Sequence, residues 1–379
     1  MRIAVNTRLL LKDRLEGIGW FTYEHLKRIT RSHPGHDFFF IFDRPWDEEY
    51  LFAENVHPIV LGPPARHPFL FYLWFEWRLP SLLKKINADI FLSPDGYIPL
   101  KLNIPVINVI HDINFHHHPK DFSPLVRGYY NYFFPKFAKR SDHIVTVSEY
   151  SKNDIQQQYG IDAKKITVVY NGVNSIYAPL DEAVQKRTKE TYSTGKEFFL
   201  FVGALNPRKN VNRLMKAFAI FKRNTQSDFK LVIVGAKMFG NREMERTYQQ
   251  HPYKKDIIFT GRLAPKELQK IYASAFALSY FPYFEGFGIP IAEAMACGIP
   301  VLTSNVTSMP EVGGKAALLA DPYNESDMAD KMTQLWKNAE LYQALKKKSI
   351  ARSSLFNWDS AAKKMWNVIE KTAKDAGKA

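Results

Sequence analysis

The 379 residues are 46% hydrophobic and 24% charged, the composition of a globular chain long enough for two domains, each with its own core. A single cysteine, Cys297, excludes an intramolecular disulfide framework and fits a reducing cytosol. The formal net charge is +14, with 21 Lys+Arg against 18 Asp+Glu in residues 1–180 and 31 against 20 in the rest. Such an excess suits nucleic acid, an anionic membrane surface or phosphorylated small molecules. No helix-turn-helix, RRM or zinc-finger pattern occurs, so nucleic acid is set aside as a partner.

Short apolar runs alternate with amphipathic helical patterns along the chain, the sequence form of a βαβ architecture. The opening MRIAVNTRLLLKD reads as a first strand, since a secretory signal needs a longer apolar core and a small-residue cleavage site. Strands are expected at Ile3–Leu10, Phe38–Asp43, Ile59–Leu61, Ile90–Ser93, Val106–Asp112, His143–Ser148 and Ile166–Tyr170. After a polar stretch at 181–196 a second series follows at Phe198–Gly203, Leu231–Gly235, Ile257–Thr260, Ala277–Phe281 and Pro300–Thr303. The strands are continuously apolar, as in parallel sheets buried on both faces. The pattern predicts two doubly wound α/β domains with a cleft between them, residues 1–178 and 179–356.

Within the first series, Gly17 and Gly19 (EGIGW) fall in a turn before a helix that begins near Trp20. The segment Phe69–Lys85 is dense in aromatics, ends in two lysines and is interrupted by Pro80. It reads either as a helix lying on a membrane surface or as a core helix packed on the first sheet. No run of about 18 uncharged apolar residues exists to span a bilayer. His111–Asp112 ends the strand VINVIHD, at a carboxyl end where catalytic groups gather. His116–His118 read as loop residues, because adjacent positions rarely converge on one metal ion.

The second series carries the denser chemistry. In FVGALNPRKN a strand ends at Gly203, and Arg208 and Lys209 stand just before a helix. Cations are disfavoured beside a helix start, so their placement there points to a diphosphate, gripped by the arginine fork and the lysine point charge. The helix after Asn210 carries an apolar stripe of Val211, Leu214, Met215, Phe218 and Phe221. In FPYFEGFGIPIAEAMACGIPV a strand runs into Glu285, a Gly286-Phe287-Gly288 turn and a helix with Pro290 in its first turn. The glycines let backbone approach a ligand, and a new helix start favours phosphate. Glu293 follows on that helix, so the two carboxylates can flank a ligand and accept from sugar hydroxyls.

These two blocks closely resemble the retaining glycosyltransferases of family 4, which have the GT-B fold. The resemblance extends to VSEYSKNDI (147–155), VVYNGV (168–173), FTGRL (259–263), SMPEVGGKAALLADP (308–322) and FNWDSAAKKMW (356–366). It implies that Arg208 and Lys209 bind the donor diphosphate and that Glu285, with the amides of Gly286–Gly288, holds the donor hexose. Glu293 would accept from the ribose, and the loop Gly261-Arg262-Leu263 would lie near the base. Gly203, Phe287 and Ile289 complete the expected donor-binding set. The Gly17/Gly19 loop would approach donor phosphate and acceptor, and His111 the donor sugar, often at its 6-hydroxyl. Residues 357–379 would cross back onto the first domain.

The implied reaction is transfer of a hexose from a nucleotide diphosphate sugar with retained configuration. Mannose from GDP-mannose is favoured, and the acceptor is a glycan or lipid-linked glycan of a bacterial surface polysaccharide. No DxD-type acidic cluster is legible, so no metal or other cofactor is expected. The expected site of action is the cytoplasm, with the anionic inner face of the plasma membrane as a candidate surface of contact. The rivals are a nucleotide-sugar epimerase or a phosphorylase-like enzyme of the same fold, and a non-catalytic sugar-nucleotide-binding protein. P-loop, GxGxxG and Gly-x-Ser-x-Gly signatures are absent from the sequence.

Overall fold

The computed structural model describes residues 1–13, 15–65, 67–236 and 242–378, apart from the side chains of Pro68 and Arg242. Contacts divide the chain into two compact units, Met1–Asn171 with Asn357–Ala379, and Gly172–Phe356. The first passage between units thus falls at Asn171–Gly172, a little ahead of the expected 178.

The first unit is built on seven parallel strands: β1 (Arg2–Asn6), β2 (Asp37–Phe42), β3 (Val56–Val60), β4 (Ile90–Ser93), β5 (Val106–Val109), β6 (His143–Thr146) and β7 (Ile166–Val168). Their order is β3-β2-β1-β4-β5-β6-β7, with Ile3 opposite both Phe38 and Ile90. β1 stops four residues short of the expected Leu10. The Asn6 amide turns away to Ser93 Oγ (3.0 Å) and Asp95 Oδ1 (2.9 Å), and Arg8 Nε donates to Asp95 Oδ2 at 2.5 Å. That buried network ends the ladder, and a Leu10 N–H to Thr7 carbonyl bond closes the turn. β5 likewise ends at Val109, so His111 and Asp112 follow the strand rather than finish it.

Two further expectations are corrected. Gly17 and Gly19 lie inside the first turn of the helix Gly17–Ser32, not in a turn ahead of it. A Cβ on Gly19 would stand 3.0 Å from the Leu9 carbonyl, so the missing side chain lets that helix lie against the loop after β1. Pro80 does not break the aromatic segment. Helix Pro68–Leu73 passes through a π turn, Trp74–Arg78, directly into helix Leu79–Lys85. Leu79 N–H reaches back to the Trp74 carbonyl, an i→i−5 bond. The wider turn makes room just where a proline ring would otherwise crowd the preceding carbonyls. Trp74 and Leu79, both fully buried, face the core, with the Trp74 indole donating to the Leu61 carbonyl at 2.7 Å.

The last helix, Trp358–Asp375, belongs to this unit. Asn357 caps it by accepting from the amides of Asp359 and Ser360. Trp358 packs edge-on against His25 (5.3 Å between rings), Trp366 stacks on His33 (3.7 Å), and Arg28 Nε donates to Asp359 at 2.5 Å.

The second unit holds six parallel strands: β8 (Phe198–Val202), β9 (Lys230–Val234), β10 (Ile257–Gly261), β11 (Ala277–Tyr280), β12 (Val301–Ser304) and β13 (Ala317–Ala320), in the order β10-β9-β8-β11-β12-β13. Every residue of β8 is buried, as a central strand covered on both faces requires. The predicted stripe of helix Val211–Thr225 is buried throughout. β13 was not expected. Its Ala-Leu-Leu-Ala has no strand propensity, and only pairing with β12, Val301 opposite Ala317, makes it one. Among the described residues, no helix is long and apolar enough to cross a membrane.

Candidate functional site

In the second sheet the strand order reverses between β8 and β11. Open α/β sheets bind ligands beyond the carboxyl ends of the strands at such a reversal. The β8 loop carries Arg208 and Lys209 in a single 3-10 turn, Pro207–Lys209. Asn210, held at φ 62°, then starts helix Val211–Thr225. Its side-chain amide donates to the carbonyls of Phe281 (2.9 Å) and Pro322 (2.7 Å), tying the β8 loop to the β11 loop. Tyr283 N–H donates to the Arg208 carbonyl at 3.1 Å, a second tie.

From the other side β11 delivers Glu285. Arg208 Nη1 and Lys209 Nζ both donate to Glu285 Oε1, and Lys209 also donates to the Tyr280 hydroxyl at 2.5 Å. Lys209 and Glu285 are both buried. Burial pushes the Glu285 carboxyl up, but the charges of Arg208 and Lys209 outweigh it and hold the group below its ordinary range. Glu285 is therefore ionised, an acceptor only. Ser308 Oγ fixes the Glu285 carbonyl at 2.8 Å.

Gly286, Phe287 and Gly288 then lead into helix Ile289–Ala296. Gly288 sits at φ +91° as its N-cap, and an added Cβ would meet Met309 Cε at 2.7 Å. Phe287 is buried edge-on against Phe356, 5.5 Å between rings, so it packs the turn from behind. Glu293, on the same helix, accepts from Tyr272 at 2.8 Å, and Tyr177 also donates to it. Burial pushes its carboxyl up to about 7, against the pull of those two hydrogen bonds. The Tyr280 hydroxyl feels both glutamates. Two carboxylates from one turn-and-helix unit thus differ sharply, one held below its ordinary range between cations and one pushed up by burial.

The Glu293 shift carries a pH prediction. The folded carboxyl holds its proton up to about 7, whereas an unfolded one releases it near 4.5. Its stabilising share is therefore complete below about pH 4.5 and lost as pH rises to about 7. Wild type should lose melting temperature relative to Glu293→Gln between pH 5 and pH 8. Parallel curves for the two proteins would remove the shift.

The remaining expected residues are distributed over both units. Gly203, at φ +151°, and Gly261, at φ +75°, close β8 and β10, with Gly235 between them at the end of β9. Gly235 N–H donates to the Gly261 carbonyl at 2.9 Å, and an added Cβ on Gly235 would lie only 1.9 Å from the Gly203 carbonyl oxygen. Ile289 is half-buried at the helix start, Arg262 is exposed, and Leu263 is half-buried on the loop after β10. Gly17, Gly19 and His111 belong to the first unit. There His111 Nε2 lies 2.9 Å from the Pro94 carbonyl, which can only accept. Burial keeps the ring below the ordinary histidine range, so it is neutral with its proton on Nε2, leaving Nδ1 to accept. His116 and His117 lie in a short helix, Asn114–His117, rather than a loop, and His117 Nε2 pairs with Asp154 at 2.8 Å.

Sequence reasoning missed the tyrosines and the cross-loop ties. Tyr280, Tyr272 and Tyr177 bind the two glutamates or their lysine partner, and Asn210 and Ser308 hold the loops. A tyrosine in a buried strand, as in ALSY, was the available signal, because its hydroxyl needs a partner.

The family profile of group 1 glycosyl transferases matches residues 184–352, and that of glycosyltransferase family 4 matches residues 15–175. The chain is 31% identical over 259 residues to the O-antigen chain mannosyltransferase RfbU of Salmonella typhimurium, covering 68% of each chain. The protein is a member of glycosyltransferase family 4. To the O-antigen chain mannosyltransferase B of Escherichia coli this family 4 chain is 26% identical, over 95% of its own length and 97% of the relative's. Among solved structures, Anabaena HepE in complex with UDP and glucose superposes with a TM-score of 0.75, at 17% identity, covering 98% and 99% of the two chains. Two parallel Rossmann-like sheets and a helical carboxyl terminus place the family 4 chain in the GT-B fold.

Proposed function

We propose that this family 4 enzyme transfers mannose from GDP-mannose to a lipid-linked glycan in surface polysaccharide assembly, with retained anomeric configuration and without a metal ion. The observation that carries the reading is the convergence of Arg208 and Lys209 on Glu285 at the mouth of helix Ile289–Ala296. Breaking the bond from the anomeric carbon to phosphate oxygen leaves negative charge on the departing diphosphate. A guanidinium and an ammonium already aligned by Glu285, with a helix start beside them, meet that charge without reorganisation. Ionised Glu285 accepts from hexose hydroxyls, and Glu293, oriented by Tyr272, accepts from the ribose. The diphosphate oxygen that leaves takes the acceptor's proton on the same face. The O-antigen mannosyltransferases similar to this chain support mannose, and the nucleotide bound to HepE supports a nucleotide-sugar donor.

The test is one assay. Purified protein, a lipid-linked mannosyl acceptor and EDTA are mixed with GDP-mannose or UDP-glucose, and the product linkage is read by NMR. Mannose transfer with the donor's anomeric configuration, undiminished by EDTA, is expected. An inverted product, a strict Mg²⁺ requirement or release of free sugar without any acceptor overturns the reading.

A further inference from the structure

The second unit sets a pair of tyrosine rings on a rigid frame beside Glu285. Tyr323, 52% exposed, follows β13, and its partner Tyr283 precedes Glu285 by two residues. The ring planes lie within 21° of parallel, with centres 6.1 Å apart. Rings touching at about 3.5–4 Å are then slipped sideways by about 5 Å, so neither covers much of the other. Asn210 sets both loops. Its side-chain amide donates to the carbonyl of Pro322 (2.7 Å), next to Tyr323, and to that of Phe281 (2.9 Å), two residues before Tyr283. The Ser304 hydroxyl fixes the Pro282 carbonyl at 2.6 Å, and Asp321 Oδ1 accepts from the Tyr323 amide at 2.8 Å. Asn324 then caps helix Glu325–Lys337. Rings set in this way lose little freedom when a ligand covers them.

Charged groups border the rings. Arg213 Cζ is 5.3 Å from the Tyr323 ring centre, and its Nη1 donates to Asn210 Oδ1 at 3.1 Å. Arg213 Nε stands 3.8 Å from Glu325, and Lys216 Nζ stands 3.9 Å from the same carboxylate. A flat apolar surface edged by donors and an acceptor matches a pyranose ring, which is apolar on its C–H face and carries hydroxyls at its rim. The negative face of an aromatic ring also attracts the weakly positive C–H groups of a sugar. Sheet order indicates which sugar this is. β13 stands three strand positions from β8, on the side away from β10, whose loop Gly261–Leu263 is expected to meet the base. The rings therefore belong to the Glu285 side of the phosphate-binding loop, past the hexose, where the glycan that receives it must lie.

We propose that Tyr323 and Tyr283, with Arg213 and Glu325 at their rim, form a subsite for a pyranose ring of the acceptor glycan, carried by the second unit itself. Stacking on the tyrosines holds the sugar by its face, and the arginine and the glutamate read its hydroxyls. The subsite deepens the proposed reaction and rests on it for the glycan's role as acceptor, but glycan binding is observable without donor or turnover.

The experiment titrates the full chain with mannotriose, and separately with GDP, each followed by NMR. Wild type should bind mannotriose. Tyr323→Ala should raise its Kd about tenfold, and Tyr323→Phe less than about twofold, because the ring stays. Glu325→Ala should raise it about threefold, which decides the matter if the alanine variant at 323 folds poorly. GDP affinity should hold within about twofold in all three variants, since the ring meets a sugar and not the base. In the transfer assay Tyr323→Ala should raise KM for the lipid-linked acceptor about tenfold with KM for the donor unmoved. No binding of mannotriose to wild type, equal Kd for wild type and Tyr323→Ala, or a GDP affinity that falls with the ring would each overturn the inference. Mannotriose binding that depends on Tyr323, without any transfer of mannose by wild type, would instead count against the proposed reaction alone.

Discussion

Replacing Lys209 by alanine is expected to cut turnover about a hundredfold or more, with donor affinity falling less. A donor aimed at charge that develops only in the transition state is worth about 3–4 kcal/mol, and such a loss appears in kcat. Glu285 and Tyr280 hold the ammonium so that its position is fixed before the diphosphate arrives. The substitution also leaves a buried carboxylate with one cation, Arg208, in place of two. Some loss of melting temperature should therefore accompany the kinetic defect, and circular dichroism at the assay temperature separates the two. A folded Lys209→Ala protein with near-wild-type kcat would take the residue out of the mechanism.

Gly235→Ala is expected to be the most damaging single methyl in the second unit. The new Cβ would lie 1.9 Å from the Gly203 oxygen, backbone that cannot swing aside like a side chain, and Gly235 itself sits at φ +156°. Relief requires β8 and β9 to part at their carboxyl ends, next to the loop that carries Arg208 and Lys209. Overpacking and backbone strain together cost about 3–5 kcal/mol. For a unit of this size that corresponds to a melting temperature lower by roughly 10 °C. A change within a degree or two, read by scanning calorimetry, would mean the loops can yield where the geometry says they cannot.

These two residues differ in how they could be read. Lys209 is legible because its type and position conflict with helix electrostatics unless an anion is present. Gly235 is legible only as the end of a strand, since its necessity comes from Gly203, which is distant in sequence and adjacent in space. The same division runs through the site. Glu285 and Glu293 were readable from their spacing and the glycine turn between them. Their opposite pKa shifts were not, because the one at Glu285 depends on Arg208 and Lys209 and the one at Glu293 on burial, all supplied by other elements of the fold.

The amino-acid sequence alone determined the alternation of buried strands and amphipathic helices, the two strand series, and the residue types at the β8 and β11 loops. Those are local properties: periodicity, glycine at sharp turns, proline at a helix start. The tertiary structure decided where β1 and β5 stop, that Ala317–Ala320 becomes a strand, and that Pro80 is accommodated by a π turn instead of a break. Each of these depends on a partner supplied from elsewhere in the chain, such as Asp95 for Asn6 and Arg8, β12 for β13, and the core around Trp74. Backbone groups take whichever hydrogen-bond partner the assembled fold offers, and no sequence window contains that partner.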